Sequence, residues 1–256
     1  MKLLHSLIIG TGKPLIIAHG FMGMGDNWKS LAQKFSTDYE VHLIDQRNHG
    51  RSFHSDDFYY ELLIEDLLHY IKHYNLQNVA IVGHSMGGKM AMLFAVTYPE
   101  YLEKLIIVDI APKYYEPHHA IILEALKSVD FEKMTTRREV SEILRRHLDD
   151  EGVIQFLLKN VYWESKNKMA FRFNLDSLYD NSDEIGEALP SFTEFEKPTL
   201  FLKGDSSGYI GKDDEALIKS HFPNSEIITV NNAGHWLHAD NPQAFYDNVS
   251  QFLLRI

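Results

Sequence analysis

The segment Gly83-His84-Ser85-Met86-Gly87 lies between a buried apolar run and a helix-period stretch. A serine on so tight a strand-to-helix turn is held in a strained backbone conformation as a nucleophile. Glycine is needed on both sides because a side chain there would strike the neighbouring strand or helix. The turn lifts the Ser85 hydroxyl to the carboxyl edge of a parallel sheet, where open α/β folds bind ligands. The three fixed positions recur by chance in about one chain in ten of this length. A Gly-rich turn with an N-capping serine uses the same residues, so the nucleophile reading rests on the strand before and the helix after.

A serine hydroxyl attacks a carbonyl only when a base takes its proton, and neutral imidazole suits that task near pH 7. With 14 histidines in the chain, position rather than residue type selects the base. Asn232-Ala233-Gly234-His235-Trp236 follows the last strand, so His235 completes the chain order serine, acid, histidine. Acyl transfer also needs two N–H donors for the tetrahedral oxyanion, and loss of one costs about 3–4 kcal/mol of barrier. The expected donors are Met86, which follows the nucleophile, and Phe21 in His19-Gly20-Phe21-Met22-Gly23. The acid orients the imidazole and stabilises its protonated form. Asp109 and Asp205 both sit at strand ends in the right order. In a Gly-Asp-x-Asp turn the acid would be the second aspartate, and that position is Ser207, which favours Asp109 and leaves Asp205 as a turn cap.

These residues need a sheet to converge on. Leu15–Ala18, Val41–Ile44, Val79–Val82, Leu105–Val108, Thr199–Leu202 and Ile227–Val230 are short, mostly apolar runs, and such runs fit strands buried on both faces. Met1–Gly10 supplies a further, first strand, since it lacks the apolar core and cleavage site of a secretory signal. Between the runs the period becomes helical: Leu63, Leu67, Tyr70, Ile71 and Tyr74 share a face, as do Met90, Leu93 and Phe94, and Phe245, Val249, Phe252 and Leu253. From about Lys113 to Pro190 only helical patterns are evident, over a span too long for a plain crossover. That stretch is expected to be a helical cap.

Composition narrows the field. The chain has 256 residues, 45% apolar, enough for one sizeable core. It has no cysteine, which excludes disulfides, thiolate metal sites and cysteine nucleophiles and suits the cytoplasm, the expected compartment. No apolar run approaches the roughly 20 residues of a bilayer span. With 25 basic against 36 acidic residues the net charge is −11, a poor basis for binding nucleic acid. Arg137-Arg138 and Arg145-Arg146 read as solvated helix faces, as do His69 and His73, which lack a third metal ligand. His118-His119 reads as a solvated turn. Asp45, Arg47, His49 and Gly50 are assigned to loop fixing rather than catalysis. The aromatic residues Tyr114, Tyr162, Trp163, Phe171 and Phe173 are candidates either to line an acyl pocket or to pack the cap onto the core.

Several longer segments carry a more specific signal: Asp45-Gln46-Arg47-Asn48-His49-Gly50, Gly83 to Lys89, Asp109-Ile110-Ala111-Pro112, Glu151 to Lys159, and Gly234-His235-Trp236-Leu237-His238-Ala239. Through them the chain resembles, almost end to end, the YbfF-type esterases and their mitochondrial relatives among the α/β-hydrolases. The resemblance implies an α/β-hydrolase fold: a mostly parallel central sheet flanked by helices, with a helical cap inserted after strand 6. The core would be residues 1–112 and 191–256 and the cap 113–190. It implies a carboxylesterase or thioesterase acting on small acyl esters, acyl-CoA among the candidates, with no metal or organic cofactor. It also puts the acid at Asp109. Relatives often carry Gly-Gly-Asn-Ser where this chain has Gly204-Asp205-Ser206-Ser207, so Asp205 stays open as the alternative acid. Two rival activities use the same fold, a carbon–carbon bond lyase or hydrolase and a slow hydrolase-like sensor.

Overall fold

The structure is a computed structural model and describes residues 2–255. The apolar runs form one seven-stranded sheet. Its strands are β1 (Ser6–Ile9), β2 (Lys13–Ala18), β3 (Tyr39–Ile44), β4 (Val79–His84), β5 (Leu102–Val108), β8 (Thr199–Gly204) and β9 (Ser225–Val230), in the order β1-β3-β2-β4-β5-β8-β9. Only β1 runs antiparallel, against β3. Strand β1 occupies four residues of the stretch expected to open the sheet.

Alternate residues on each strand face opposite layers. Leu15, Ile17, Val82, Val108 and Leu202 bury against α1 (Lys29–Phe35) and α10 (Pro242–Leu254), where Trp28, Phe35, Phe245 and Val249 meet them. Ile16, Ile81, Leu105, Ile107 and Phe201 face the other way, toward α2 (Tyr60–His73), α3 (Met86–Thr97) and α8 (Asp214–His221). Full burial of one such side chain is worth roughly 1.5–3 kcal/mol. Both faces of the inner strands are therefore committed, which is why those strands read as largely apolar runs.

Register is what serves the site. Ala18 pairs with both Ile44 and Gly83, His84 with Val108, Val108 with Leu202, and Gly204 with Val230. The strands thus end at one level, and His19, Asp45, Ser85, Asp109 and the loop of His235 leave the sheet along one edge.

The insertion follows β5, the fifth strand of this chain rather than the sixth. It contains α4 (Ala120–Lys127), α5 (Arg137–Leu144), α6 (Glu151–Leu158) and α7 (Leu175–Asp180). It is not wholly helical as expected: β6 (Val161–Ser165) and β7 (Lys168–Phe171) form an antiparallel hairpin. The strands are four or five residues long, and an isolated hairpin of that size is not stable. It persists because Val161, Met169 and Phe171 are buried in the insertion and Arg172 N donates to Asn160 O at 2.9 Å. Short strands supported by tertiary burial leave little periodicity to read. Among the described residues no helix is long and apolar enough to cross a membrane.

Both ends of the insertion are held by one buried lysine. Lys89, on α3, donates to Glu187 O at 2.7 Å and also to Lys113 O, so a single ammonium bridges the segments that leave and re-enter the sheet layer. Burial pushes its pKa down to about 7.

Candidate active site

Ser85 sits at the β4–α3 junction with φ 52° and ψ −118°, a strained conformation that costs of order 1–3 kcal/mol. Its N–H donates to Val108 O at 3.0 Å, which continues the ladder between β4 and β5 and fixes the turn. The flanking glycines are there for space. A Cβ on Gly83 would lie 2.5 Å from Gly87 O, and one on Gly87 would lie 2.5 Å from the carbonyls of Ala18 and His19.

His235 meets Asp109. Its Nδ1 lies 2.8 Å from Asp109 Oδ2, and the carboxylate is fully buried. Asp109 also accepts from Gly204 N at 3.2 Å and from Ser207 Oγ. Ser207, which occupies the second aspartate position of a Gly-Asp-x-Asp turn, therefore contributes a hydroxyl to Asp109 instead of a carboxylate to the imidazole. Asp109 has φ 53°, and its N–H donates to Leu202 O at 2.8 Å, which turns the side chain away from the ladder. Asp205 does not touch the ring: it accepts from Asn232 N at 2.8 Å and Ala233 N at 3.0 Å. Those two N–H groups, Ala233 first, hold its carboxyl below the usual range. It fixes the loop that carries His235.

Residues that sequence reasoning missed complete the setting. The Tyr209 ring stacks on His235 with centroids 4.0 Å apart and planes 18° apart. Tyr115 Oη donates to Tyr209 O at 2.6 Å, and His118 Nε2 lies 2.7 Å from Tyr209 Oη. His84 Nε2 donates to His235 O at 2.9 Å. Burial first, then the neighbouring His235 and His238, keep His84 well below the usual imidazole range and therefore neutral. Nothing in the spacing of these residues announces them, because each acts through a contact made by folding.

Ser85 and His235 line one cavity of about 720 Å³, together with Phe21, Trp28, Ile122, Phe156 and Trp236. Among the described residues neither Ser85 Oγ nor His235 Nε2 has a hydrogen-bond partner, and the same holds for the N–H groups of Phe21 and Met86. A hydroxyl, a basic nitrogen and two backbone donors are thus free in one neighbourhood. Among the described residues no group of three or more His, Cys, Asp or Glu side chains is arranged to hold a metal.

Three of the five aromatic residues of the insertion fall on the packing side of the alternative and two on neither side. Phe171 and Phe173 stack on each other at 4.9 Å, Tyr162 packs under the Arg172 guanidinium at 4.4 Å, and Tyr114 and Trp163 are exposed. None of the five lines the cavity. His119, expected in a solvated turn, instead lines it, edge-on to Phe21 at 4.9 Å, with its pKa pushed down to about 3 by burial. His118 is exposed as expected. On α5, Arg138 pairs with Glu142 at 3.2 Å and Arg137 donates to Val161 O at 2.6 Å; just beyond the helix, Arg145 pairs with Glu151 at 2.7 Å.

Comparison with known proteins bears on the fold and the family. The sequence profile described as "alpha/beta hydrolase fold" matches residues 13–148. Esterase YbfF of Escherichia coli is 32% identical, over 95% of this chain and 94% of its own length. The sn-1-specific diacylglycerol lipase ABHD11 of Danio rerio is 38% identical, over 95% of this chain and 79% of its own. A solved marine microorganism esterase superposes with a TM-score of 0.96 at 42% identity, covering 98% of this chain and all of that one. The chain belongs to the α/β-hydrolase family, as a YbfF-type, carboxylesterase-class hydrolase of esters.

Proposed function

We propose that the protein is a serine esterase working through an acyl-enzyme, with Ser85 as nucleophile, His235 as general base and acid, and Asp109 as the carboxylate that orients His235. The observation that carries this reading is the 2.8 Å contact of His235 Nδ1 with buried Asp109, beside a serine strained at the head of α3. Asp109 keeps the proton on Nδ1, which leaves Nε2 bare to receive one.

Ser85 Oγ attacks the ester carbonyl carbon as its proton passes to His235 Nε2. The carbonyl oxygen becomes an oxyanion, held by the N–H groups of Phe21 and Met86. Collapse breaks the bond to the leaving oxygen or sulfur, which takes the proton from His235. Water then attacks the acyl-enzyme, giving its proton to His235. The second collapse returns that proton to Ser85 and releases the acid. Residues 113–190 act as the cap over this site, because α4 and α6 supply Ile122 and Phe156 to the cavity wall.

The substrates are small-molecule acyl esters or thioesters. At about 720 Å³ the cavity lies in the range of about 300–1,000 Å³ typical of small-molecule sites. Hydrolysis of p-nitrophenyl esters from acetate to palmitate tests the class. Turnover with a defined chain-length optimum is expected. A folded protein inert across the whole series would exclude a general esterase.

A further inference from the structure

The donor expected from Phe21 depends on how its loop is held. Gly20 O accepts from Gly23 N at 3.0 Å and from His19 Nδ1 at 2.8 Å, which fixes the plane of the peptide whose other edge is the Phe21 N–H. The next residue, Met22, is buried and has φ 58°. A non-glycine residue there costs roughly 1–2 kcal/mol and persists only if both of its peptide groups are gripped.

Both are. Met22 N donates to His49 Nε2 at 3.1 Å, and Met22 O accepts from Asn160 Nδ2 at 2.8 Å. His49, in the loop after β3, is itself fixed by donation from its Nδ1 to Arg47 O at 2.9 Å. Burial pushes its pKa down to about 3, so Nε2 stays an acceptor. Asn160 belongs to the insertion, between α6 and β6, and is fully buried. Its N–H donates to Leu157 O at 3.0 Å, and its carbonyl accepts from Arg172 N at 2.9 Å. One amide side chain thus joins the α6–β6 junction of the cap to the loop beside the nucleophile.

We propose that Asn160 is a positioning residue of the oxyanion hole, through which the seating of the cap sets the aim of the Phe21 N–H. The proposal rests on the serine-esterase reading, and in particular on Phe21 as a donor. Transition-state stabilisation depends on donors already aimed where charge will develop. A displacement near 1 Å can cost about 100-fold in rate. Loss of the Asn160 grip should therefore appear in kcat rather than in ground-state binding.

The test is Asn160→Asp beside wild type and Asn160→Leu, with kcat and KM for p-nitrophenyl butyrate from pH 5.5 to 8. An ionised carboxylate cannot donate to Met22 O, whereas a protonated one can, and burial raises its pKa above the ordinary carboxylate range. We expect kcat of Asn160→Asp at pH 8 to fall about 10- to 100-fold, with KM within about threefold. Its ratio to wild type should climb several-fold toward pH 5.5. Asn160→Leu should show the loss without that recovery. An alkyl boronic acid, which mimics the tetrahedral adduct on Ser85, should weaken in parallel with kcat. If Asn160→Asp fails to fold, as read by thermal melting, the boronic acid affinity and kcat of Asn160→Leu decide alone. Unchanged kcat and boronic acid affinity, or a change confined to KM, overturns the proposal. Failure of the underlying reading is separable, since Ser85→Ala would then retain turnover.

Discussion

Ser85→Ala is expected to lower kcat for a p-nitrophenyl ester by about 10⁵- to 10⁶-fold, leaving roughly 10³-fold over water from the oxyanion donors and binding. The substitution is clean. Ser85 Oγ has no hydrogen-bond partner among the described residues, so no buried group loses its mate. Serine and alanine also pay a similar cost at φ 52°. Thermal stability should therefore stay close to wild type, and steady-state kinetics together with a melting curve check both halves. A variant that kept most of its turnover would remove Ser85 from the chemistry. A variant inactive only because it unfolds would show that failure in the melt.

Asp109→Asn should be the next most damaging change, at about 10⁴-fold in kcat. The amide has almost the shape of the carboxylate and can still accept from Gly204 N. What it loses is the negative charge beside His235 Nδ1. An amide NH₂ turned toward that nitrogen leaves the ring proton on Nε2, the wrong tautomer to receive one from Ser85. Asp205→Asn tests the alternative acid. Among the described residues the Asp205 carboxylate hydrogen-bonds only the backbone of the His235 loop and neighbouring Ser206, and an asparagine retains one acceptor. Its expected cost is under about 10-fold, mostly from a looser loop. Parallel kinetics on the two variants settle the assignment. The reverse ranking, with Asp205→Asn dead and Asp109→Asn active, would move the acid.

The sheet was legible because both faces of its five inner strands are covered, so these, and the edge strand β9 with them, announce themselves as largely apolar runs without help from tertiary context. The candidate residues Ser85 and His235 stand out in the sequence for a related reason: each is tied to a strand end by a local turn with glycine beside it. Asp109 required an inference from absence, the missing carboxylate at Ser207, and the structure gives that serine a use in holding Asp109. The insertion was less readable. Its hairpin depends on burial of Val161, Met169 and Phe171 rather than on a long alternating pattern. The aim of its aromatic side chains follows from how the insertion sits on the sheet, so composition alone left the cap aromatics open between lining and packing. His119 meets Phe21, and Tyr209 meets His235, only through contacts between segments far apart in sequence. Asn160 meets Met22 across 138 residues, a contact no local pattern records.

A fluorophosphonate tests the role of Ser85 most directly, because it reacts with an activated serine: the oxygen–phosphorus bond forms as fluoride leaves. After labelling and digestion, mass spectrometry should find one stoichiometric adduct, on Ser85, and none in Ser85→Ala. An adduct on another residue, or no adduct on a wild-type protein that turns over ester, would contradict the assignment of Ser85 as nucleophile.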